Sequence, residues 1–307
     1  MSEATPVWAV AALPVALGLL TLGAAAFDGV LAGRRAGHAG VAGAAVGPLR
    51  EAARLLVQSR RTTLASDGLL LRAGAVSLPV AALLAVVVVP LGDVAVADMT
   101  VGVVWFNAME VVAWASVWLV GWGPNSVYGL VGGYRFIAQG LAYELPHMFA
   151  LITVAVGAGS LQVSEVADAQ AGSWFAVWMP VAFVVYLMSV LAMAFWGPFG
   201  QAVADDVAGG AVADLSGVDR LVFLSGRYAL LVAGAAFAVP AFLGGGAGPL
   251  LPAGVWVSVK VVAVSGALVW AGRRLPLVRM DRFAQFAWVV LIPASLLQLL
   301  VVSIAVL

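Results

Sequence analysis

One stretch of the sequence, residues 121–160, combines ionisable side chains with an apolar run long enough to cross a membrane. Its polar members recur at helical spacing: Arg135, Gln139, Tyr143, Glu144 and His147. At about 100° per residue, these positions cover roughly half of the circumference of a helix. An ionisable group at membrane depth costs at least about 2.5 kcal/mol, so we expect this polar face to point into protein or a wet cavity. Such residues inside a membrane indicate a functional site.

A purely structural explanation of the same residues also stays open. In that alternative, Arg135 only ends the helix at the lipid headgroups, and Glu144 is an interior residue with satisfied hydrogen bonds. A single interior carboxylate is often structural. A cluster of five polar side chains within about three turns fits that explanation less well.

The composition identifies an integral membrane protein. The chain has 307 residues, of which 64% are hydrophobic and 10% charged, and its mean hydropathy is +1.08. Soluble domains carry about 25% charged residues. The absence of cysteine excludes disulfides, thiolate metal sites and iron–sulfur clusters held by this chain. Only His38 and His147 are present, which argues against a histidine-rich metal centre or haem ligation.

Apolar segments of spanning length predict eight transmembrane helices in one membrane domain over residues 1–307, an all-α fold. The first segment follows Glu3 without a preceding Lys or Arg, so we expect a retained helix rather than a secretory signal. The predicted spans are 7–31, 74–97, 100–121, 134–160, 173–197, 221–243, 251–272 and 283–307.

A charged amphipathic segment lies between the first two spans, at about 48–60. Leu49, Leu56 and Val57 recur at helical spacing, with Arg50 and Arg54 on the other side. The segment is too short and too charged to span. It predicts a helix lying in the membrane interface, with a soluble helix packed on a partner as the alternative.

The positive charges show a clear asymmetry. All 14 Arg residues fall on one side of an eight-span arrangement, and the opposite connections contain Asp93, Asp98, Glu165 and Asp168 without Lys or Arg. This pattern predicts a multi-pass protein of the inner (plasma) membrane, with both termini outside and the Arg-rich connections in the cytoplasm.

Further charges fall in the connection between the fifth and sixth spans and inside two other spans. The connection, about 198–220, contains Asp205, Asp206 and Asp214, which form either a solvated loop or a functional acidic cluster. Glu110 stands in the middle of the third span and Lys260 inside the seventh. No nucleotide-binding loop, Ser-His-Asp set or metal-ligand spacing is found in the sequence.

The stretch Gly121–Glu144 reads GW-x-x-N-S-x-Y-x-L-x-G-x-x-R-x-x-A-Q-x-x-x-Y-E. Together with the shorter motifs after it, this pattern resembles the H subunit of bacterial NADH:quinone oxidoreductase (complex I), the counterpart of mitochondrial subunit 1. The resemblance runs from about Asp28 onward. The shorter motifs are AGSL at 158–161, GPF at 197–199, DLSG at 214–217, Lys260, W-x₅-P at 270–276, R-x-D at 279–281 and W-x₄-P at 288–293.

The resemblance implies a subunit at the heel of the membrane arm, under the hydrophilic arm. Such a subunit forms much of the quinone tunnel and links quinone reduction to proton translocation. Quinone would be a substrate shared with partner subunits, and this chain would hold no metal, flavin or other redox centre. For proton coupling we expect Glu144, Asp205, Asp206 and Asp214, joined by Glu110. For the quinone site and tunnel we expect Arg135, Gln139, Tyr143, Tyr228, Arg279 and Asp281.

The chain also departs from the family pattern, and this keeps other functions open. Carboxylates of the family are replaced by Met193, Gly200, Arg227 and apparently Arg54, and a family arginine by Trp196. The family's R-x-G-P-N-R segment is GRRAGHAG at 33–40. A non-pumping membrane anchor or the equivalent subunit of an energy-converting hydrogenase are the alternatives. A transporter is disfavoured because no internal repeat is found.

Glu110 stands where the family is usually apolar, which suggests two interpretations. In the first, Glu110 compensates for the change of a carboxylate to Arg227. In the second, Arg227 extends to the membrane surface and Glu110 is neutral.

Overall fold

The computed structural model describes residues 7–37, 40–92 and 94–307. Glu3, His38 and Asp93, which enter the sequence predictions, lie outside these ranges. Within them the regular elements are helices, apart from one isolated β-bridge between Leu91 and Val94. The all-α prediction is therefore confirmed for the described chain.

The helices follow one another with short connections. Three short 3₁₀ turns at Gln201–Val203, Asp205–Val207 and Gly210–Val212 precede α10, and a π-helical turn at Ala287–Leu291 joins α12 to α13. The helices are α1 Val7–Arg35, α2 Val41–Ala45, α3 Gly47–Val57, α4 Gly68–Val86, α5 Gly102–Trp122, α6 Val127–Ala158, α7 Val163–Asp168, α8 Phe175–Trp178, α9 Pro180–Met193, α10 Gly217–Phe242, α11 Ala253–Arg274, α12 Met280–Phe286 and α13 Ile292–Val306.

Seven helical stretches in the described ranges are long and apolar enough to cross a membrane: α1, α4, α5, α6, α10, α11 and the continuous stretch Met280–Val306. The predicted span at 173–197 is instead divided into α8 and the 14-residue α9. At 1.5 Å per residue, α9 is about 21 Å long, less than the roughly 30 Å hydrocarbon core. The division falls at Met179–Pro180, because proline begins a helix more readily than it continues one.

The predicted span at 74–97 is also displaced along the chain. The helix α4 begins at Gly68, where the carboxylate of Asp67 accepts hydrogen bonds from the amides of Leu69 and Leu70. Such a cap satisfies amides that have no partner within the helix. The helix ends at Val86, four residues before Pro90.

The helix α10 forms the centre of the bundle. Its membrane-length window is 72% buried, whereas the corresponding windows of α1 and Met280–Val306 are 22% buried. The second half of α10, from Ala229 to Phe242, is buried throughout. A helix that is apolar on every side is stable only when other helices surround it.

The amphipathic segment forms the helix α3, as predicted. Leu55 is buried, whereas Leu49, Leu56 and Val57 are exposed. The Arg54 guanidinium donates to Glu51 at 2.5 Å, and this hydrogen bond holds the pKa of Glu51 below its usual value. The exposed leucines are compatible with the membrane interface or with a partner surface, and the interfacial position stays a prediction.

Candidate functional site

Glycines bring α5 and α6 unusually close together. A Cβ on Gly121 of α5 would lie 2.6 Å from the carbonyl oxygen of Gly129 and 3.0 Å from the Cα of Gly133, both on α6. Only a residue without a side chain allows this approach. The crossing aligns the polar side chains of α5 with those of α6.

The most buried charged pair of the described chain lies between these two helices. Nε2 of His147 is 3.2 Å from Oε2 of Glu110, and the two side chains are 0% and 1% exposed. The imidazole ring stacks on Tyr186 of α9, with 5.3 Å between ring centroids. Neither carboxylate oxygen and neither imidazole nitrogen has a well-formed hydrogen bond to the described residues.

The neighbouring turn of α6 carries Tyr143 and Glu144. The indole of Trp114 donates to the Tyr143 hydroxyl at 2.9 Å. The amide of Asn107 donates to Oε1 of Glu144 at 3.3 Å, while Oε2 of Glu144 is buried without a partner among the described atoms. This arrangement forms an acidic cluster, defined here as Asn107, Glu110, Tyr143, Glu144 and His147.

The polar face of α6 points into the bundle over most of its length. Gln139 is fully buried and donates to the carbonyl of Ala192 at 2.6 Å. Tyr143 and His147 are buried, and Glu144 is half-buried. Arg135 has a different partner from Glu144, as predicted, because it extends toward the connection before α10.

Arg135 joins this connection through Asp206. The guanidinium donates to both carboxylate oxygens, at 2.9 and 2.8 Å. The hydrogen bond from Arg135 holds the pKa of Asp206 below its usual value. Asp205 is exposed, and Asp214 is half-buried with its Oδ2 buried and unpaired among the described residues.

Two close contacts hold the same connection in place. A Cβ on Gly132 of α6 would overlap the backbone nitrogen of Ala211, so the connection rests directly on the helix. The hydroxyl of Ser216 accepts from the amide of Arg61 at 2.7 Å. Near this second contact, Asp214 lines a cavity of about 220 Å³ together with Arg61 and Thr63.

A second charged cluster joins α1, α10 and α11, and we call it the Asp28 cluster: Asp28, Tyr228 and Arg273. Arg273 donates to both oxygens of Asp28, at 2.5 and 2.6 Å, and the Tyr228 hydroxyl donates at 2.8 Å. A cavity of about 180 Å³ lies beside it, lined also by Arg227 and Trp196. Sequence analysis assigned no role to Asp28 or Arg273, although an acid inside the first apolar span was a usable signal.

Arg227 belongs to neither charged cluster. Its guanidinium donates to the carbonyls of Ala194 and Phe195, at 3.3 and 2.6 Å, and lies 4.5 Å from the ring centroid of Trp196. Within the described chain, Glu110 therefore forms its charged pair with His147 and not with Arg227. The pairing of Glu110 with Arg227 considered from the sequence is not what the structure shows.

The remaining predicted site residues lie apart from the acidic cluster. Lys260 donates to the carbonyls of Leu243, Gly245 and Ala247 at 2.7–2.8 Å, so it holds the end of α10. Arg279 and Asp281 form a 3.2 Å ion pair whose side chains are 81% and 61% exposed. Among the described residues, no group of three or more His, Cys, Asp or Glu is arranged to hold a metal ion.

Comparison with known proteins agrees with the resemblance drawn from the motifs. The sequence model of the family described as NADH dehydrogenase matches residues 7–303. Three similar relatives are H subunits of NADH-quinone oxidoreductase. The chain is 38% identical over 207 residues to the one numbered 2 in Geobacter sulfurreducens and 37% identical over 207 residues to the one numbered 1 in Geobacter metallireducens. It is 36% identical over 211 residues to the one numbered 2 in Cereibacter sphaeroides.

These alignments cover 67–68% of this chain. The chain spans about 63% of the length of the two Geobacter relatives and 66% of the Cereibacter one. Because the family model extends over nearly all of its residues, the chain belongs to the NADH dehydrogenase family, and its relatives are membrane subunits of complex I.

Proposed function

We propose that this protein is the heel subunit of the membrane arm in a complex I-like NADH:quinone oxidoreductase. In this role it forms the quinone tunnel with partner subunits and couples quinone reduction to proton translocation. The observation that carries the proposal is the acidic cluster, in which Glu144 is half-buried between crossing helices with one unpaired oxygen. Electron transfer belongs to redox centres on partner subunits.

Proton coupling would use carboxylates at two depths. Reduction of a quinone to a quinol consumes protons, so a protein group that binds and releases protons can respond to it. Asp205, Asp206 and Asp214 lie in the connection that packs on α6, and Glu144 and Glu110 lie inside the bundle. The contact between that connection and α6 provides a physical route by which one set can influence the other.

The quinone path is proposed along the polar face of α6 and the neighbouring helix ends. Gln139, Tyr143 and Tyr228 present amide and hydroxyl groups suited to a quinone carbonyl, with Arg135 near the loop. Arg279 and Asp281 are exposed, which suits a surface covered by a partner subunit. The exposed apolar side chains of α3 suit the bilayer interface beside the tunnel mouth.

The proposed topology has eight crossings, with α8 and α9 together forming the shortest. Both termini would then lie outside the plasma membrane, because all 14 Arg residues fall on the other side.

A non-pumping membrane anchor is the second candidate, and one observation favours it. Met193, Trp196 and Arg227 occupy positions in which the sequence departs from the family, and Met193 and Trp196 are buried. Fewer titratable groups in the bundle would make a proton path less effective.

Glu144→Gln in the purified, assembled complex separates these functions. We expect quinone-linked proton uptake in proteoliposomes to fall by at least about tenfold, because an amide cannot exchange the proton. Glu165→Gln is the matched control, since Glu165 is an exposed carboxylate on α7. If the wild-type complex reduces quinone without proton uptake, the anchor is correct. An intact complex without quinone reduction would overturn the proposed function.

A further inference from the structure

The Glu110–His147 pair is isolated from other charges. Its side chains are 1% and 0% exposed, and the two facing atoms are 3.2 Å apart. None of its four ionisable oxygen and nitrogen atoms has another hydrogen-bond partner in the described chain. In a site that serves only stability, a buried polar group would have such partners.

The elements around the pair contribute few titratable groups. Tyr143 and Glu144 of α6 and Tyr186 of α9 lie within electrostatic reach of Glu110. The facing part of α10 contributes the ring of Phe237, which stacks on Phe106. In the helices α9 and α13, Tyr186 is the one titratable side chain, and the ion pairs of the described residues place no Lys or Arg beside Glu110.

The pair is therefore suited to hold one proton in two places. Without a nearby cation, a lone Glu110 carboxylate would be costly, so the proton lies on Oε2 while His147 is neutral. If the proton transfers, the O–H bond of Glu110 breaks and an N–H bond forms at Nε2 of His147. The resulting carboxylate and imidazolium stabilise each other, so both states are accessible at similar cost.

Helical spacing connects this pair to Glu144. Glu144 and His147 are three residues apart on α6, and Asn107, which donates to Glu144, is three residues before Glu110 on α5. Residues at this spacing lie on neighbouring turns of the same helix face. A change of charge at Glu144 would therefore shift the proton between Glu110 and His147.

We infer that Glu110 and His147 form a proton-exchanging pair that stores one proton beside Glu144, with His147 as an additional proton-transfer residue. The inference rests on the proposed proton-coupling function. It also gives Glu110 a specific role at a position where the motif comparison predicts an apolar residue.

The experiment uses the purified complex with wild-type, His147→Gln, Glu110→Gln and doubly substituted chains. Quinone-linked proton uptake should fall by at least about tenfold in each single variant, and no further in the double variant, because both residues act as one unit. Thr153→Val is the control, since Thr153 is a buried residue of α6 that only bonds to Phe149 of its own helix.

Infrared difference spectra after a pH step provide a readout that packing alone would not change. Wild type should show a protonated carboxyl band that is lost in Glu110→Gln and shifted in His147→Gln. Unchanged proton uptake and an unshifted band in His147→Gln would overturn the pair. If the wild-type complex lacks quinone reduction, the proposed function fails while the infrared result still decides whether the pair exchanges a proton. If His147→Gln does not assemble, Glu110→Gln and the double variant carry the comparison.

Discussion

The two charged clusters inside the bundle differ in how completely their polar atoms are paired. In the Asp28 cluster, both carboxylate oxygens accept from Arg273 and one also accepts from Tyr228. In the acidic cluster, Glu110 and His147 face each other, and one oxygen of Glu144 has no partner in the described structure. Complete pairing fixes a charge in place, whereas incomplete pairing leaves the position of a proton open.

The difference follows from where each cluster lies. The Asp28 cluster joins three helices near their Arg-bearing ends, where Arg273 is 38% exposed and water lowers the cost of charge. The acidic cluster lies in the middle of two crossing helices, where both members of its pair are buried. The first arrangement is therefore expected to stabilise the fold and the second to support chemistry.

Asp28→Asn should produce the largest loss of stability. It leaves Arg273 without its carboxylate, and removing one partner of a fully buried pair costs about 3–5 kcal/mol. Because Arg273 is partly exposed, we expect about 2–3 kcal/mol, read as a lower midpoint of thermal unfolding in detergent. Tyr228→Phe removes a single hydrogen bond and should cost only about 1 kcal/mol. Equal losses for the two variants would show that the ion pair contributes little.

Glu110→Met combined with His147→Phe should leave stability nearly unchanged. Replacing a buried pair by apolar side chains of similar volume is often neutral or stabilising, so we expect a change of less than about 1 kcal/mol. The same thermal unfolding measurement compares it directly with Asp28→Asn. A loss as large as that of Asp28→Asn would mean that the acidic cluster is also a structural one, and the contrast between the two clusters would disappear.

The sequence predicted the acidic cluster better than the Asp28 cluster, and the reason is separation along the chain. Gln139, Tyr143, Glu144 and His147 share one helix face, which a period of 3.6 residues makes visible. Asp28 and Arg273 are 245 residues apart, and their contact depends on the packing of α1 against α11. Spacing alone contains no information about that packing.

Helix length and backbone contacts limited the prediction in two other places. Apolar composition over 173–197 gave no sign that the helix divides at Met179–Pro180, where an internal proline was expected to be tolerated. The carbonyls of Ala194 and Phe195 that receive Arg227 exist as acceptors only because the chain leaves the helix after Met193. A sequence shows side chains, but it does not show which carbonyls a turn leaves free.

The smallest effect is expected at the Arg135–Asp206 pair, where Asp206 is 59% exposed. The pKa of Asp206 is lowered by its hydrogen bond from Arg135, so the pair contributes at every pH above the usual aspartate value of about 3.9 and is lost only as the pH falls through the lower folded value. Carboxyl-carbon NMR should show Asp206 titrating below that value in the wild type and near it in Arg135→Gln. Added salt should reduce the difference, because exposed charges are screened. A wild-type Asp206 that titrates at its usual value would show that the connection reaches α6 through Gly132 and backbone contacts alone.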